Sequence, residues 1–278
     1  MNVSHFEKFE SYIPIDLNIG TNFILACIFI YSIVLFRYFL MVGVFWVLFY
    51  RMKIAWSLPR QIYAELPSAK EQLYEIKWSV ITSLLFALAG ALMGVFWQNG
   101  WTQIYLNFDQ HGYWYLLVSW LILLFLHDAY FYLAHRWLHI PAIYRKYHSI
   151  HHASLKPSPW GSFSFHPVES IINAAAIPLF IFILPLHPVV ILFHLTFMTI
   201  SAITNHMGFE ILPKNGARHW FWKWMISGVH HTEHHKYFRV NYGLFFTWWD
   251  VWLKTEFEKY ADEFDQVMNR TQKKELGK

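Results

Sequence analysis

The stretch HDAYFYLAHRWLH, residues 127–139, follows directly on the apolar run LLVSWLILLFL, residues 116–126. Within one turn the chain passes from a segment suited to a membrane interior to one loaded with ligand-type side chains. At about 100° per residue, Asp128, Tyr132, His135 and His139 fall along one helical stripe, with His127 roughly a quarter-turn away. A helix leaving the membrane therefore presents two imidazoles one turn apart, with an acid two turns before the first. Whether this is a site depends on whether the rest of the chain repeats the pattern.

The composition fixes the setting. Of 278 residues, 56% are hydrophobic, 21% aromatic and only 14% charged, too apolar for a soluble domain of this size. The net charge of +4 comes from basic residues that flank apolar runs, so they serve as topology signals and not as a nucleic-acid surface. The sole cysteine, Cys27, lies in an apolar segment, which excludes a disulfide framework and a cysteine-ligated zinc or iron–sulfur centre. A metal site must then be built from histidine and carboxylate. Residues 1–20 lack a basic stretch leading into a short apolar core, and no cleaved signal peptide is expected.

Spans are expected at 78–97 and 113–133, each near the 20 residues that a bilayer crossing requires, and at 22–50, a long first span or a span with an interfacial extension. Residues 171–204 are apolar but interrupted by Pro178, Pro185 and Pro188, which suits a helical hairpin turning at 185–188. The loop 51–77 carries Arg51, Lys53, Arg60, Lys70 and Lys77, while 98–112 has no Lys or Arg, so the first is expected on the cytoplasmic side. Residues 134–170 and 205–278 then meet on that same face.

Of seventeen histidines, fifteen fall between His127 and His235. KYHSIHHAS sets His148, His151 and His152 at HxxHH spacing, and VHHTEHHKY repeats it with His231, His234 and His235. Spacings of three and four let imidazoles converge on one ion or on two close ones. Eight imidazoles exceed what one tetrahedral zinc can use, and they suit a pair of ions of higher coordination number, iron as well as zinc. His5, His111, His187, His194 and His219 are expected to be structural. The expected fold is all-α: a polytopic integral membrane protein of about four transmembrane helices with a cytoplasmic, histidine-rich di-metal cap.

In order along the chain, HDAYFYLAHRWLH, HSIHHASLKPSPWGSFSFHPVE, NHMGFE, HHTEHH and NYGLFFTWWD resemble the fatty acid hydroxylase superfamily, and within it the sterol desaturase branch. The resemblance implies a membrane-bound, non-haem di-iron enzyme that uses O2 and two electrons to hydroxylate or desaturate a sterol or fatty-acyl type lipid. It implies two iron ions per chain, with zinc as a substitute in purified material, and O2 as cosubstrate. Its HxxxH falls on His135 and His139, its first HxxHH on His148, His151 and His152, and its last on His231, His234 and His235. The histidine of NHMGFE, His206, matches a further ligand. His166 and His230 match family positions of less defined role, and at His127 related branches can carry an acid. The resemblance implies a division into residues 1–112 with two spans, a catalytic region 113–258, and a polar tail 259–278, expected to be solvated and partly disordered.

Asp128, Glu169, Glu233 and Asp250 are the acids placed to accept the outer N–H of a ligating imidazole, with Asp128 and Glu233 taken as the candidate catalytic pair. With no haem-binding HPGG and no Gly-rich dinucleotide fingerprint, electrons are expected from a separate donor protein, cytochrome b5-like or a ferredoxin with its reductase. The other expected partner is a lipid drawn from the bilayer. Two rival readings stand beside this one. His230, Glu233 and His234 spell HxxEH, the pattern of a membrane zinc peptidase. A non-catalytic metal carrier or sensor would also use histidine clusters, although carriers place polar ligands at the membrane midplane.

Overall fold

A computed structural model describes residues 15–275. The expectations for the polar N-terminus with His5, and for the last residues of the tail, lie outside that range. Seven principal helices order the chain: α1 (Gly20–Trp46, continued by a π-turn at Val47–Arg51), α2 (Ala69–Gln98), α3 (Trp114–Leu138), α4 (Pro167–Ile181), α5 (Pro188–His206), α6 (Gly228–Tyr237) and α7 (Tyr260–Glu275). Among the described residues no strand forms, only isolated bridges such as Gln61 with Phe209. Four helices are long and apolar enough to cross a membrane: α1 with its π-turn, α2, α3 and α5. This is an all-helical, polytopic membrane architecture.

The second span starts earlier than hydropathy alone places it. Ser68 caps α2 by accepting from the Glu71 amide, and the Glu71 carboxylate accepts from the Ser68 amide at 2.6 Å, a reciprocal capping box. The first turns of α2 stand outside the apolar run, and from Glu75 a buried polar stripe continues into it through Ser79, Thr82 and Ser83. Ser79 follows Glu75 by four residues, and Thr82 and Ser83 follow Ser79 by three and four, so these share one face. That face binds the 158–170 segment: Glu75 accepts from the Ser158 amide at 3.1 Å, Ser79 donates to the Trp160 carbonyl at 2.9 Å, and Thr82 meets Ser170 at 2.8 Å.

α4 and α5 form the expected hairpin. Pro178 is tolerated within α4, which ends three residues later, and Pro188 opens α5 at its first position, where no N–H is missed. Leu123 of α3 packs with Ile177, Ile181, Leu186, Val190 and Ile191 to close this end. The 101–106 loop seals the turn, with the Gln103 amide donating to the Ile181 carbonyl at 2.7 Å. Both open ends of the hairpin, at His166 and His206, return to the side where the histidines gather.

The tail differs from the sequence expectation. Residues 260–275 form α7, and Tyr260, Phe264, Val267 and Met268 are buried against Ile62, Tyr63, Leu212 and Val229. Its many charges hid an apolar stripe at positions i, i+4, i+7 and i+8. α7 thereby covers α6, the carrier of the last histidine cluster.

Candidate metal centre

α3 delivers His135 in its last turn and His139 at its C-cap. A π-turn at Tyr144–His148 then presents His148, and a short helix, Ser149–His152, presents His151 and His152. An extra residue in a π-turn re-aims the side chains beyond it, a common device at functional sites. α5 ends on His206, and α6 carries His231, His234 and His235. All of these are buried except His139, which is half-buried.

The nine side chains divide into two sets. His135, His139, His148, His152 and His234 form one, and His151, His206, His231 and His235 the other; within each, one nitrogen per ring lies within 4.8 Å of all the others. Each HH doublet is split. His152 and His234 join the first set while their neighbours His151 and His235 join the second, because adjacent residues on a helix point about 100° apart. One turn of helix thus feeds both sets.

The close contacts are between Nε2 atoms. His152 Nε2 lies 3.2 Å from His139 Nε2, 3.1 Å from His148 Nε2 and 3.0 Å from His234 Nε2. In the second set His231 Nε2 lies 3.1 Å from both His206 Nε2 and His235 Nε2. The opposite ring nitrogens decide the tautomers. The Nδ1 of His135 donates to the Tyr242 carbonyl (2.9 Å), that of His151 to Ser164 (3.3 Å), that of His206 to Ala202 (2.7 Å) and that of His234 to Val240 (2.7 Å). A carbonyl can only accept, so these four rings carry their proton on Nδ1 and turn a bare lone pair inward. His148 places its Nδ1 2.8 Å from Glu169 Oε1.

Lone pairs facing one another at this range repel unless a cation lies between them. Metal–nitrogen bonds of about 2.1 Å would set neighbouring nitrogens roughly 3.0 Å apart in an octahedron and 3.4 Å in a tetrahedron. The observed spacings fit. Burial, reinforced by the charge of neighbouring rings, holds His148, His151, His152, His231, His234 and His235 well below the usual histidine range, so the rings are neutral, as ligation requires.

Of the four acids, only Glu169 faces an imidazole. Asp128 accepts instead from the Phe245 amide at 2.8 Å, and Asp250 from the amides of Tyr242 (2.7 Å) and Gly243 (2.8 Å) and the Thr255 hydroxyl (2.7 Å). Both fasten the 240–247 loop, whose Val240 and Tyr242 carbonyls hold His234 and His135. Gly243 is required there, since a Cβ would stand 2.5 Å from the Phe246 carbonyl. Glu233 meets no ring nitrogen; burial and nearby Glu263 push its carboxyl up to about 7.

Glu210, which the sequence reading left without a role, accepts from the Leu212 and Val229 amides and so fixes the entry to α6. Its place in the NHMGFE stretch, four residues after His206, was the available signal. Gly208, with φ +74°, turns the chain just after His206, where a Cβ would sit 2.8 Å from the Tyr63 ring.

The remaining histidines stand apart. His166 caps α4 by accepting from Val168, and His187 caps α5 by accepting from Val189. His219 accepts from the Phe221 amide, and His111 lies edge-on to Tyr105. His230 turns away from both sets onto the Tyr260 ring, so His230, Glu233 and His234 do not assemble the peptidase geometry. His127 Nδ1 lies 2.7 Å from His194 Nε2, a buried pair that belongs to neither set.

His127 also lines an apolar cavity of about 180 Å3 between α1, α2, α3, α4 and α5. Ser162, Phe163, Phe165 and Ala202 form part of its wall. The Ser164 and Ala202 carbonyls that orient His151 and His206 therefore belong to the backbone that separates cavity from histidines. A hydrocarbon chamber beside two neutral imidazole sets can hold a lipid next to a metal pair.

Comparison with known proteins agrees with this arrangement. The family model described as Fatty acid hydroxylase matches residues 120–255, which contain every histidine of both sets. The Delta(7)-sterol 5(6)-desaturase ERG3B of Gibberella zeae is 33% identical over 152 residues, 55% of this chain and 46% of that protein. The Delta(7)-sterol 5(6)-desaturase erg3C of Aspergillus fumigatus is 30% identical over 218 residues, 70% of this chain and 63% of its own length. The lathosterol oxidase of Homo sapiens is 30% identical over 203 residues, 72% and 62% of the two chains. The chain thus spans less than two thirds of the length of these relatives. No solved structure matches it. On the strength of the matched region and these relatives, the chain belongs to the fatty acid hydroxylase superfamily, in its sterol desaturase branch.

Proposed function

We propose that this protein is a membrane-bound oxidoreductase that uses O2 to hydroxylate or desaturate a lipid at a di-iron centre. The observation that carries the reading is the pair of inward-facing Nε2 sets beside an apolar cavity. The relatives' names, desaturase and oxidase, support the oxidoreductase class.

Iron held by these residues would supply the oxidising power to take hydrogen from an unactivated C–H bond. His135, His139, His148, His152 and His234 would hold one ion, and His151, His206, His231 and His235 the other. The Tyr242, Ser164, Ala202 and Val240 carbonyls keep the protons of four rings on Nδ1, so that Nε2 stays free to bind. Glu169, whose Oε1 lies 2.8 Å from His148 Nδ1, would do the same for that ring and make it more electron-rich. The cavity wall, largely Phe, Ile, Met and Ala, aligns an alkyl chain and keeps water from the reacting carbon.

Electrons would come from a separate cytochrome b5-like or ferredoxin-type donor at the histidine face, which we place on the cytoplasmic side. Comparative lipid mass spectrometry of cells with and without the gene, paired with iron analysis of the purified protein, tests the whole reading. The expected result is a lipid that gains one oxygen or loses two hydrogens, and about two iron per chain. An unchanged lipid profile with a zinc-only protein that never consumes O2 in the presence of reductant would sink it.

A further inference from the structure

Arg37 is the one charged residue among the 27 of α1. It lies well inside the span, half-buried, and it lines the cavity. Its guanidinium takes part in no ion pair and no hydrogen bond among the described residues; the ion pairs found are His148 with Glu169 and Arg218 with Asp262 and Asp265. Asn173 of α4 lines the same cavity, and its side-chain amide is likewise without a hydrogen-bond partner. Around them the wall is apolar, with Ile30, Val34, Phe86 and Met93.

An arginine cannot shed its charge, and one held inside a membrane span is costly unless it meets oxygen atoms. Among the described residues, no oxygen accepts a hydrogen bond or ion pair from Arg37. Intramembrane charges of this kind face cavities that take a ligand. The rest of the wall asks for hydrocarbon, and it includes Phe165 and Ala202, next to the carbonyls that orient His151 and His206.

We infer that the cavity binds a lipid carrying an anionic oxygen group, a carboxylate or a phosphate, with Arg37 as the anchor for that anion and Asn173 as an added donor. The inference rests on the lipid-oxidising reading above and narrows its substrate class. Arg37 is a specificity-determining residue. By fixing the polar end, it fixes which carbon of the chain rests against the histidine side. A guanidinium–carboxylate contact is charge-assisted and often bidentate, which a neutral hydroxyl cannot match.

The test is equilibrium binding of radiolabelled oleate, oleoyl lysophosphatidate and oleyl alcohol, which have the same chain length, to the full-length protein in neutral-lipid nanodiscs, with and without iron. The wild type is expected to prefer one anionic lipid over the alcohol by about 10–100-fold, the range of a charge-assisted contact. Whichever anion wins identifies carboxylate or phosphate. Arg37→Gln should abolish the preference and Arg37→Lys should keep part of it, both with iron content unchanged.

Equal binding of the alcohol, or a preference that survives Arg37→Gln, overturns the proposal. If Arg37→Gln does not fold, the wild-type ratio and Arg37→Lys decide. A wild type that holds no iron and oxidises no lipid would defeat the functional reading instead, while the binding ratio would still be readable.

Discussion

His152 and His234, 82 residues apart in the chain, bring their Nε2 atoms to 3.0 Å, with no proton available from His234 to bridge them because its Nδ1 donates to the Val240 carbonyl. The spacing is the one that two ligands of a single cation would adopt. His152→Ala should therefore weaken iron binding by at least about tenfold and abolish lipid oxidation. His187→Ala should keep full iron and lower stability by about 1 kcal/mol, the value of a helix cap. Iron analysis of folded, detergent-purified protein separates the two. Full iron in the His152 variant would refute the first set.

Among the described residues, Glu169 is the only carboxylate against a histidine of either set, 2.8 Å from His148 Nδ1. Glu169→Gln preserves shape but removes the charge that favours a basic ring. We expect metal affinity or activity to fall about 10–100-fold, with the helical content of the protein unchanged. Chelator competition reads the affinity, and an unaltered chelation curve would count against this role.

Asp250 accepts two backbone amides within the loop that holds His135 and His234, and the Thr255 hydroxyl beyond it. Asp250→Ala would leave buried donors unpaired, at about 1–3 kcal/mol for a group so exposed to loss. The expected outcome is a lower thermal midpoint together with partial iron loss. Iron loss without any change in stability would indicate direct ligation instead.

Metal-free protein should be acid-sensitive. Six histidines, His148, His151, His152, His231, His234 and His235, are held below the ordinary value when folded. Once unfolded they take up protons near pH 6.5. The unfolded chain therefore binds more protons in acid, so stability is complete above about pH 6.5 and falls as pH drops, by up to about 1.4 kcal/mol per pH unit for each ring. Thermal midpoints of the chelated protein between pH 8 and pH 5 should decline on the acid side. A flat profile would mean that the rings are already protonated or exposed.

The histidine face and the basic loop 51–77 should share the cytoplasmic side. In a Cys27→Ser background, cysteines placed at the exposed positions Glu65 and Lys156 should be shielded from an impermeant thiol reagent in intact cells, while one at exposed Gln103 should react. Labelling of Lys156→Cys alongside Gln103→Cys would reverse the proposed orientation.

Spans and histidine clusters were legible in the sequence because both are periodic: apolar runs of bilayer length, and imidazoles at spacings of three and four. The partition of the nine rings was not. Cluster spacing suggests that His151 and His152 act together, yet the helix aims them at different sets. His206 came only through family resemblance, since a lone histidine at the end of an apolar helix carries no spacing signal. Asp128 and Asp250 were recognised as important acids but assigned to rings when they hold backbone amides, a distinction that depends on the long-range fold. The capping box at Ser68 and Glu71 was hidden within a basic loop, and the buried stripe of α7 within a charged tail.

The splitting of the HH doublets couples the two ends of the centre. An ion seated in either set would restrain the helical turns at 151–152 and 234–235, and with them the ligands of the other. A second ion would then meet rings whose ordering entropy had already been lost, which is positive cooperativity without any contact between the ions. Metal uptake should then pass from empty to doubly filled with little of the singly filled form, so the protein would behave as a two-ion device or as none.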